Sequence, residues 1–307
     1  MRIWKSWLIL TVPITLFAVN LGVAASLPPD TTGSADMVVT VLPGSGGTTP
    51  NLQASELSVL QDKSPARVLR LERLTGENLQ LYILLDDSTR STSLGTHIQE
   101  LKSFLESLPA ATQVAIGYMR NGTAVLAQPF TADHREAANR IRLPQAVPGE
   151  NGSPYFALSD LVKRWPSNDR SARRAVLMLT DGVDRYYGTS VVDDPYVDEA
   201  VNSALKNHVV VYSIYLFGSG LYGRGPWTQN IAQSRLIEAS DQTGGNAYYE
   251  GFTDPVAIAP FLSDLQKRLE NQYRVTIQAN GKGVQPVKVH TETPGLKIAA
   301  PTRIYVR

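Results

Sequence analysis

Cysteine is absent from this sequence and histidine is rare. Without cysteine the chain has no disulfide bonds, no thiol nucleophile and no thiolate metal ligand. The sequence also lacks the His-Glu-x-x-His helix of zinc proteases and the Gly-x-Ser-x-Gly turn of serine hydrolases. We therefore expect a protein that is not an enzyme. The scattered histidines are His97, His134, His208 and His290.

The chain also lacks an excess of charge of either sign. It has 29 lysine and arginine residues against 28 aspartate and glutamate residues in a length of 307. Nucleic-acid-binding proteins usually carry a clear excess of basic residues, so a nucleic acid is not expected as a partner. Hydrophobic residues make up 43% of the sequence and charged residues 19%, which is typical of a globular protein with a sizeable core.

Long apolar runs are missing except near Met1. Arg2 and Lys5 precede an uncharged run over residues 7–25 that closes on small residues. This order predicts a secretory signal peptide, residues 1–25, and an exported bacterial protein in the periplasm, on the cell surface or outside the cell. The alternative is an uncleaved anchor, because the run is about as long as the roughly 17 to 25 residues of a membrane helix. The membrane is an expected partner only in that case.

Changes in sequence pattern divide the rest of the chain into three segments. Residues 26–78 contain a linker rich in small and turn-forming residues, followed by short β-like runs. Over residues 79–272 apolar runs alternate with amphipathic helices, which predicts an α/β domain with a mostly parallel central sheet and helices on both faces. Residues 273–307 return to alternating apolar and polar positions, so we expect a C-terminal β extension.

Local signals refine this α/β domain. The Asn121-Gly122 pair predicts a tight turn, so the strands at 114–119 and 123–128 are expected to be antiparallel. Leucine and isoleucine recur at helical spacing over residues 94–108, which predicts a helix. Three more helices are predicted to begin where a capping residue precedes proline, at Ser153-Pro154, Asp194-Pro195 and Asp254-Pro255.

Acidic and hydroxyl side chains directly follow two of the predicted strands. Asp86 and Ser88 come after the strand at 79–85, and Asp181 follows the central strand within a Thr-Asp-Gly turn. In an open α/β sheet ligands bind outside the carboxyl ends of the strands, where we expect these side chains to meet. Their oxygen atoms suit Mg²⁺ or another hard divalent ion, and we expect no cofactor beyond such an ion.

These motifs resemble the von Willebrand factor type A (VWA) fold. In that family an Asp-x-Ser-x-Ser motif, a threonine from a middle loop and the aspartate of a Thr-Asp-Gly turn form a metal-ion-dependent adhesion site (MIDAS). The resemblance implies metal ligands at Asp86, Ser88, Ser153 and Asp181, with serine in place of the usual threonine at 153. The order of segments over residues 37–307 is also similar to the VWA-related family described from acidobacteria.

Arg90 occupies the position of the second serine, which makes the MIDAS degenerate. A unit charge about 5 Å from a divalent ion would cost about 7 kcal/mol at an effective dielectric constant of about 20. Arg90 is therefore expected to swing outward, to pair with an acid such as Asp87, or to replace the ion by bridging Asp86 and Asp181. On this basis we expect Arg90→Ser to raise divalent-ion affinity at least about tenfold.

Two alternatives at the site stay open. The stretch Asp87-x-Thr89-x-Ser91 has the family spacing displaced by one residue, although the apolar strand ends directly at Asp86. Ser153 is alternatively a helix cap and nothing more.

Two neighbouring loops are also candidates for binding. The acids Asp184, Asp193 and Asp194 are expected to form a solvated loop rather than a second cation site. Tyr222 and Trp227 lie in a glycine-rich stretch and are candidate contacts for a partner.

The resemblance implies an exported binding or adhesion module. Its expected partner is a protein or a surface polymer whose carboxylate completes the coordination of the ion. Three alternatives remain: a metal-free module that uses the same face, a membrane-anchored envelope scaffold, and a hydrolase, for which the sequence offers no nucleophile.

Overall fold

The computed structural model describes residues 33–44, 51–74, 78–150, 152–190, 192–217 and 225–307. The expected signal peptide and Tyr222 lie outside these described residues. No helix within the described ranges is long and apolar enough to span a membrane.

The described residues form fourteen strands and seven α-helices, with one 3-10 turn at Ala54–Glu56. The strands are β1 (Gly33–Pro43), β2 (Leu57–Gln61), β3 (Ser64–Pro65), β4 (Val68–Leu74), β5 (Leu79–Asp86), β6 (Gln113–Arg120), β7 (Thr123–Thr131), β8 (Arg173–Thr180), β9 (Val209–Tyr215), β10 (Asn246–Tyr248), β11 (Gln272–Ala279), β12 (Gly283–Thr291), β13 (Leu296–Ala299) and β14 (Arg303–Val306). The helices are α1 (Ser91–Gly95), α2 (Ile98–Ser107), α3 (His134–Asn139), α4 (Pro154–Lys163), α5 (Pro195–Lys206), α6 (Pro226–Gln242) and α7 (Ala259–Glu270).

A six-stranded central sheet forms the middle layer, in the order β10-β9-β8-β5-β6-β7. All neighbours in it are parallel except β6 and β7. Every residue of β5 is buried because helices cover both faces: Ile83 packs in the core with α2 and α7, and Leu84 packs in the core with α4, α5 and α6. The expected fold class, an α/β domain with a mostly parallel sheet, is confirmed.

The β6–β7 connection is the tight turn that the sequence predicts. Asn121 and Gly122 both have positive φ angles, 48° and 70°. Two successive positive φ angles give the turn the twist that joins neighbouring antiparallel strands, and asparagine and glycine tolerate them best. This turn makes β7 the single antiparallel edge of the central sheet.

The segments that flank the α/β domain combine into a β-sandwich. One sheet has the order β13-β1-β11-β4, and the other has the order β14-β12-β2-β3. Met37 of β1 pairs with Val275 of β11, so strands from the two flanking segments alternate within one sheet. A separate hydrophobic core fills the space between the sheets, with Val39 and Ile277 fully buried. The N-terminal β segment and the C-terminal β extension therefore share one core.

Two predicted helices differ from the structure. The apolar stripe over residues 94–108 is divided between α1 and α2, with Thr96 ending the first helix and His97 preceding the second. The helix predicted to begin at Asp254-Pro255 is wrong: α7 begins at Ala259. The Asp254 carboxylate instead accepts hydrogen bonds from the Ser93 hydroxyl and the Phe217 amide, both at 2.7 Å.

Candidate metal-binding site

The carboxyl ends of β5 and β8 lie side by side. These neighbouring parallel strands are in register, with Leu85 opposite Leu179. Asp86 therefore ends β5 next to Thr180, which ends β8, and Asp181 follows in the turn. The structure thus brings together the two acidic motifs that the sequence placed at one edge of the sheet.

Asp86 is held in a single orientation by hydroxyl and amide donors. Its Oδ1 accepts hydrogen bonds from the Ser88 amide at 2.9 Å and the Ser88 hydroxyl at 2.8 Å. Its Oδ2 accepts one from the Thr180 hydroxyl at 2.8 Å. Burial, and then the charge of Asp181, raise the pKa of Asp86 to about 6 despite these donors. The site therefore holds two carboxylates that repel each other in a buried position.

Asp181 is fixed by the turn that follows β8 and by an arginine. Its Oδ1 accepts a hydrogen bond from the Val183 amide at 3.0 Å, and its Oδ2 lies 2.7 Å from Nη2 of Arg185. Gly182 allows this turn because its φ is 69° and a Cβ there would lie 2.7 Å from the Leu236 side chain. The Thr-Asp-Gly motif is thus a tight turn that presents Asp181 toward Arg185.

Arg185 supplies the positive charge of this site. Its side chain is 17% exposed and its backbone amide donates to the Gly152 carbonyl at 2.6 Å. Burial by itself lowers the pKa of Arg185, but Asp181, followed by Asp86 and Asp184, raises it overall. The guanidinium therefore balances acids from both strand ends. Sequence reasoning missed this residue, although it is the first basic residue after the Thr-Asp-Gly turn.

Arg90 lies over an aromatic ring and forms no ion pair with a described acid, so it neither pairs with Asp87 nor bridges Asp86 and Asp181. Its guanidinium carbon lies 5.5 Å from the centre of the Phe217 ring, a distance at which a cation is attracted to the ring face. Arg90 also precedes α1 in an extended conformation. Arg185, and not Arg90, is therefore the arginine that contacts Asp181.

Asp87 belongs to a separate ion-pair network. Its carboxylate lies 2.6 Å from Arg142 and 2.7 Å from Arg120, and it accepts from the Gln145 amide at 3.0 Å. Burial raises the pKa of Asp87, but the hydrogen bonds from Arg142, Gln145 and Arg120 outweigh it and lower the pKa. The Thr89 hydroxyl donates to the Asp86 carbonyl at 2.9 Å. These contacts favour the alignment that begins at Asp86 over the one that begins at Asp87.

Ser153 lies in a neighbouring group of hydrogen bonds. Its hydroxyl donates to Asp184 at 2.6 Å and accepts from the Phe156 amide at 3.3 Å, so it caps α4. Asp184 is fully buried, and Asp194 pairs with Arg235 at 3.1 Å. The expectation of a solvated acidic loop is wrong for these two aspartates because both are enclosed by partners.

Exposed aromatic side chains lie near the N-terminal ends of α4 and α6. Tyr186 and Trp227 are each 61% exposed, and Tyr187 is 40% exposed. The Trp227 indole donates to the Thr189 carbonyl at 2.8 Å, and the Tyr186 ring centre lies 5.2 Å from that of Phe156. Aromatic rings that are held in place and exposed to solvent suit contact with a partner.

A hard cation near Asp86 would need oxygen atoms from both carboxylate and hydroxyl side chains. Among the residues that the structure describes, no three acidic or histidine side chains converge on a common point. An ion would therefore need the Asp86 and Asp181 carboxylates together with hydroxyl oxygens, beginning with that of Ser88. The mutual repulsion of the two buried carboxylates favours a cation between them, and Arg185 is the cation that faces them in this structure.

Several solved structures have a similar fold, at low sequence identity. An aerotolerance-related membrane protein from Bacteroides fragilis is 13% identical, with a TM-score of 0.42, over 62% of this chain and 98% of that chain. The SpRpn10 VWA domain is 11% identical, with a TM-score of 0.39, over 61% of this chain and 93% of that one.

Proximal thread matrix protein 1 from the mussel byssus, solved with a zinc-occupied MIDAS motif, is 14% identical, with a TM-score of 0.44, over 73% of this chain and 50% of that one. No protein-family model and no curated protein matches the chain. The role of this protein is therefore inferred from its own residues.

Proposed function

We propose that this protein is an exported, non-enzymatic binding module that contacts a protein or a surface polymer through the face at the carboxyl ends of β5 and β8. The observation that carries the proposal is the buried pair Asp86 and Asp181 with Arg185 opposite it. Such a group of charges binds ions or charged groups, and the exposed aromatic side chains beside it offer apolar contact area.

The proposed ligands of a divalent ion are Asp86, Ser88, Ser153 and Asp181. Arg185 has to leave Asp181 before an ion binds, and the Ser153 hydroxyl has to turn away from Asp184. A bound Mg²⁺ or similar ion would supply an open coordination position for a carboxylate of the partner. The chain's own residues hold the ion, and the partner's acidic group completes its coordination.

A metal-free module is the second candidate. It is favoured by the 2.7 Å contact between Arg185 and Asp181, because the guanidinium already balances the buried acids. In this case the partner contacts the same face without an ion. The two candidates share the binding face and differ only in their dependence on metal.

Titration calorimetry with Mn²⁺ after chelator treatment separates these candidates. We expect weak binding by the wild type, stronger binding by Arg185→Gln, and none by Asp181→Asn. Glu106→Gln removes an exposed negative charge from α2 and is the matched control. Absence of Mn²⁺ binding by both the wild type and Arg185→Gln would eliminate the metal-dependent candidate.

Capture of partners from the native envelope tests the face itself. Partners should be lost with Asp181→Asn and retained with Glu106→Gln, and chelator should release them only if an ion is needed. Equal capture by all variants would overturn the proposed face. The mass of the native protein tests export, because removal of residues 1–25 leaves Ser26 as the first residue.

A further inference from the structure

A cavity lies at the opposite ends of the central strands from Asp86. It has a volume of about 780 Å³ and is bordered by the first residues of β8 and β9, the last turns of α4 and α5, and strands of the β-sandwich. Its volume lies within the roughly 300 to 1,000 Å³ of small-molecule sites. The cavity is therefore large enough for a ligand, and none of the motifs discussed above accounts for it.

The lining of this cavity is strongly basic. Nine of its described residues are lysine or arginine, and the only acidic one is Asp36. Four of the nine form ion pairs with acids outside the lining, as Arg303 does with Asp198 at 2.8 Å. The other five form no ion pair with a described residue, and they are Arg170, Arg173, Arg174, Lys206 and Arg307.

Two of these basic side chains are held in place by aromatic rings. The Arg174 guanidinium lies 5.5 Å from the centre of the Trp165 ring, and the Lys206 ammonium lies 5.8 Å from the centre of the Tyr305 ring. Contacts of this kind fix the position of a cation without neutralising its charge. The positive charges of the cavity are thus positioned before any ligand arrives.

Arg173 is the most deeply buried of these side chains. Its exposed fraction is 4%, and its Nη1 donates to the Leu269 carbonyl at 2.6 Å and to Gln272 at 2.7 Å. The buried Nε atoms of Arg173 and Arg174 have no hydrogen-bond partner among the described residues. Burial, together with the nearby charge of Arg274, lowers the pKa of Arg173 to about 10, against an opposing effect of Tyr212. Arg173 thus places a buried charge at the wall of the cavity, where carbonyl oxygens hold its guanidinium in position.

We propose that this cavity binds an anion that carries two or more phosphoryl groups. The five unpaired cations and Asp36 leave a net charge of about +4 in a small volume. Each phosphate monoester brings about 1.5 to 2 negative charges at neutral pH, so two or three of them balance that charge. A carboxylate ligand would need about four separate groups to do so. The planar guanidinium groups of Arg174 and Arg307 also match the geometry of phosphoryl oxygens.

Calorimetric titration of the full-length protein with inorganic tripolyphosphate tests this site. We expect saturable binding at one site, weakened by salt, and a loss of at least about tenfold in affinity for Arg174→Gln/Arg307→Gln. Arg170→Gln, an exposed change at the rim, should weaken binding by a smaller factor without affecting the fold. The matched control is Arg135→Gln/Lys282→Gln, which removes the same charge from exposed positions elsewhere.

The control pair separates specific binding at the cavity from nonspecific electrostatic attraction. An equal loss of affinity in the control pair, or no saturable binding at millimolar tripolyphosphate, would overturn the proposal. Asp181→Asn should leave tripolyphosphate affinity unchanged, so failure at the acidic face and failure at this cavity are distinguishable. Competition between tripolyphosphate and vesicles that contain phosphatidylglycerol would identify a lipid headgroup as the source of phosphate. The lack of vesicle binding would identify a soluble phosphorylated molecule.

Discussion

Arg185→Gln is the substitution that perturbs the candidate metal site most directly. In the wild type the Arg185 guanidinium lies 2.7 Å from Asp181 Oδ2, with only 17% of the arginine side chain and 1% of the aspartate side chain exposed. Charges about 4 Å apart attract with about 4 kcal/mol at an effective dielectric constant of about 20. Removing one partner of a buried pair costs about 3 to 5 kcal/mol, and we expect about 3 kcal/mol here because Arg185 is partly exposed.

Without divalent ions, this loss should lower the melting temperature by about 6 to 12 °C, at roughly 2 to 4 °C per kcal/mol. Mn²⁺ should reverse most of it, because an ion no longer has to displace the guanidinium from Asp181. An ion present at about 100 times its dissociation constant adds about 2.7 kcal/mol to the free energy of unfolding. Melting curves with chelator and with Mn²⁺ measure both effects, and the affinity for Mn²⁺ should rise at least about tenfold.

Arg90→Ser is the matched control, because it removes the same charge from a side chain that lies over Phe217. The structure now leads us to expect an unchanged Mn²⁺ affinity for this variant, in place of the tenfold rise expected from the sequence. A variant Arg185→Gln that melts like the wild type in chelator, with unchanged Mn²⁺ affinity, would refute the assignment of Arg185 as the balancing cation. A rise for Arg90→Ser alone would return that role to Arg90.

Three further predictions concern the surroundings of the site. Because the pKa of Asp86 is raised to about 6 by burial and the neighbouring carboxylate, the free energy of unfolding in chelator should fall as pH rises from about 4 to about 6. Urea titrations should show a steeper fall in the wild type than in Asp86→Asn, and equal slopes would contradict the raised pKa of Asp86. Gly182→Ala should lower the free energy of unfolding in urea by about 2 kcal/mol or more, because a Cβ would lie 2.7 Å from a side chain of α6. Gly188→Ala, where a Cβ would meet open space, should lower it by about 1 kcal/mol. Equal losses would contradict this reasoning. Asp87→Asn should lower the free energy of unfolding by about 2 kcal/mol, because two partly exposed arginines lose their carboxylate partner. It should also speed proteolysis at residues 142–150, and unchanged proteolysis would argue against a structural role of Asp87.

The central sheet was predictable because its strands and turns are determined by residues that lie close together in the sequence. The apolar run over residues 81–85 of β5, the Asn121-Gly122 turn and the capping residues before α4 and α5 each determine nearby backbone. The pairing of Met37 with Val275 was not predictable, because nothing in either segment specifies a partner so distant in sequence. Asp86 and Asp181 were found from their place after strands, whereas Arg185 was missed because its role depends on the path of a loop.

The position of β1 affects the order in which the protein can fold. Both neighbours of β1 in its sheet, β11 and β13, come from the last part of the chain. During synthesis the hydrogen-bonding edges of β1 and the apolar side chains of Val39 and Val41 therefore stay uncovered until residues 272–299 are made. A chain interrupted before that point keeps an exposed strand edge, which is prone to pair with other chains. The β-sandwich therefore forms only after residues 272–299 are in place.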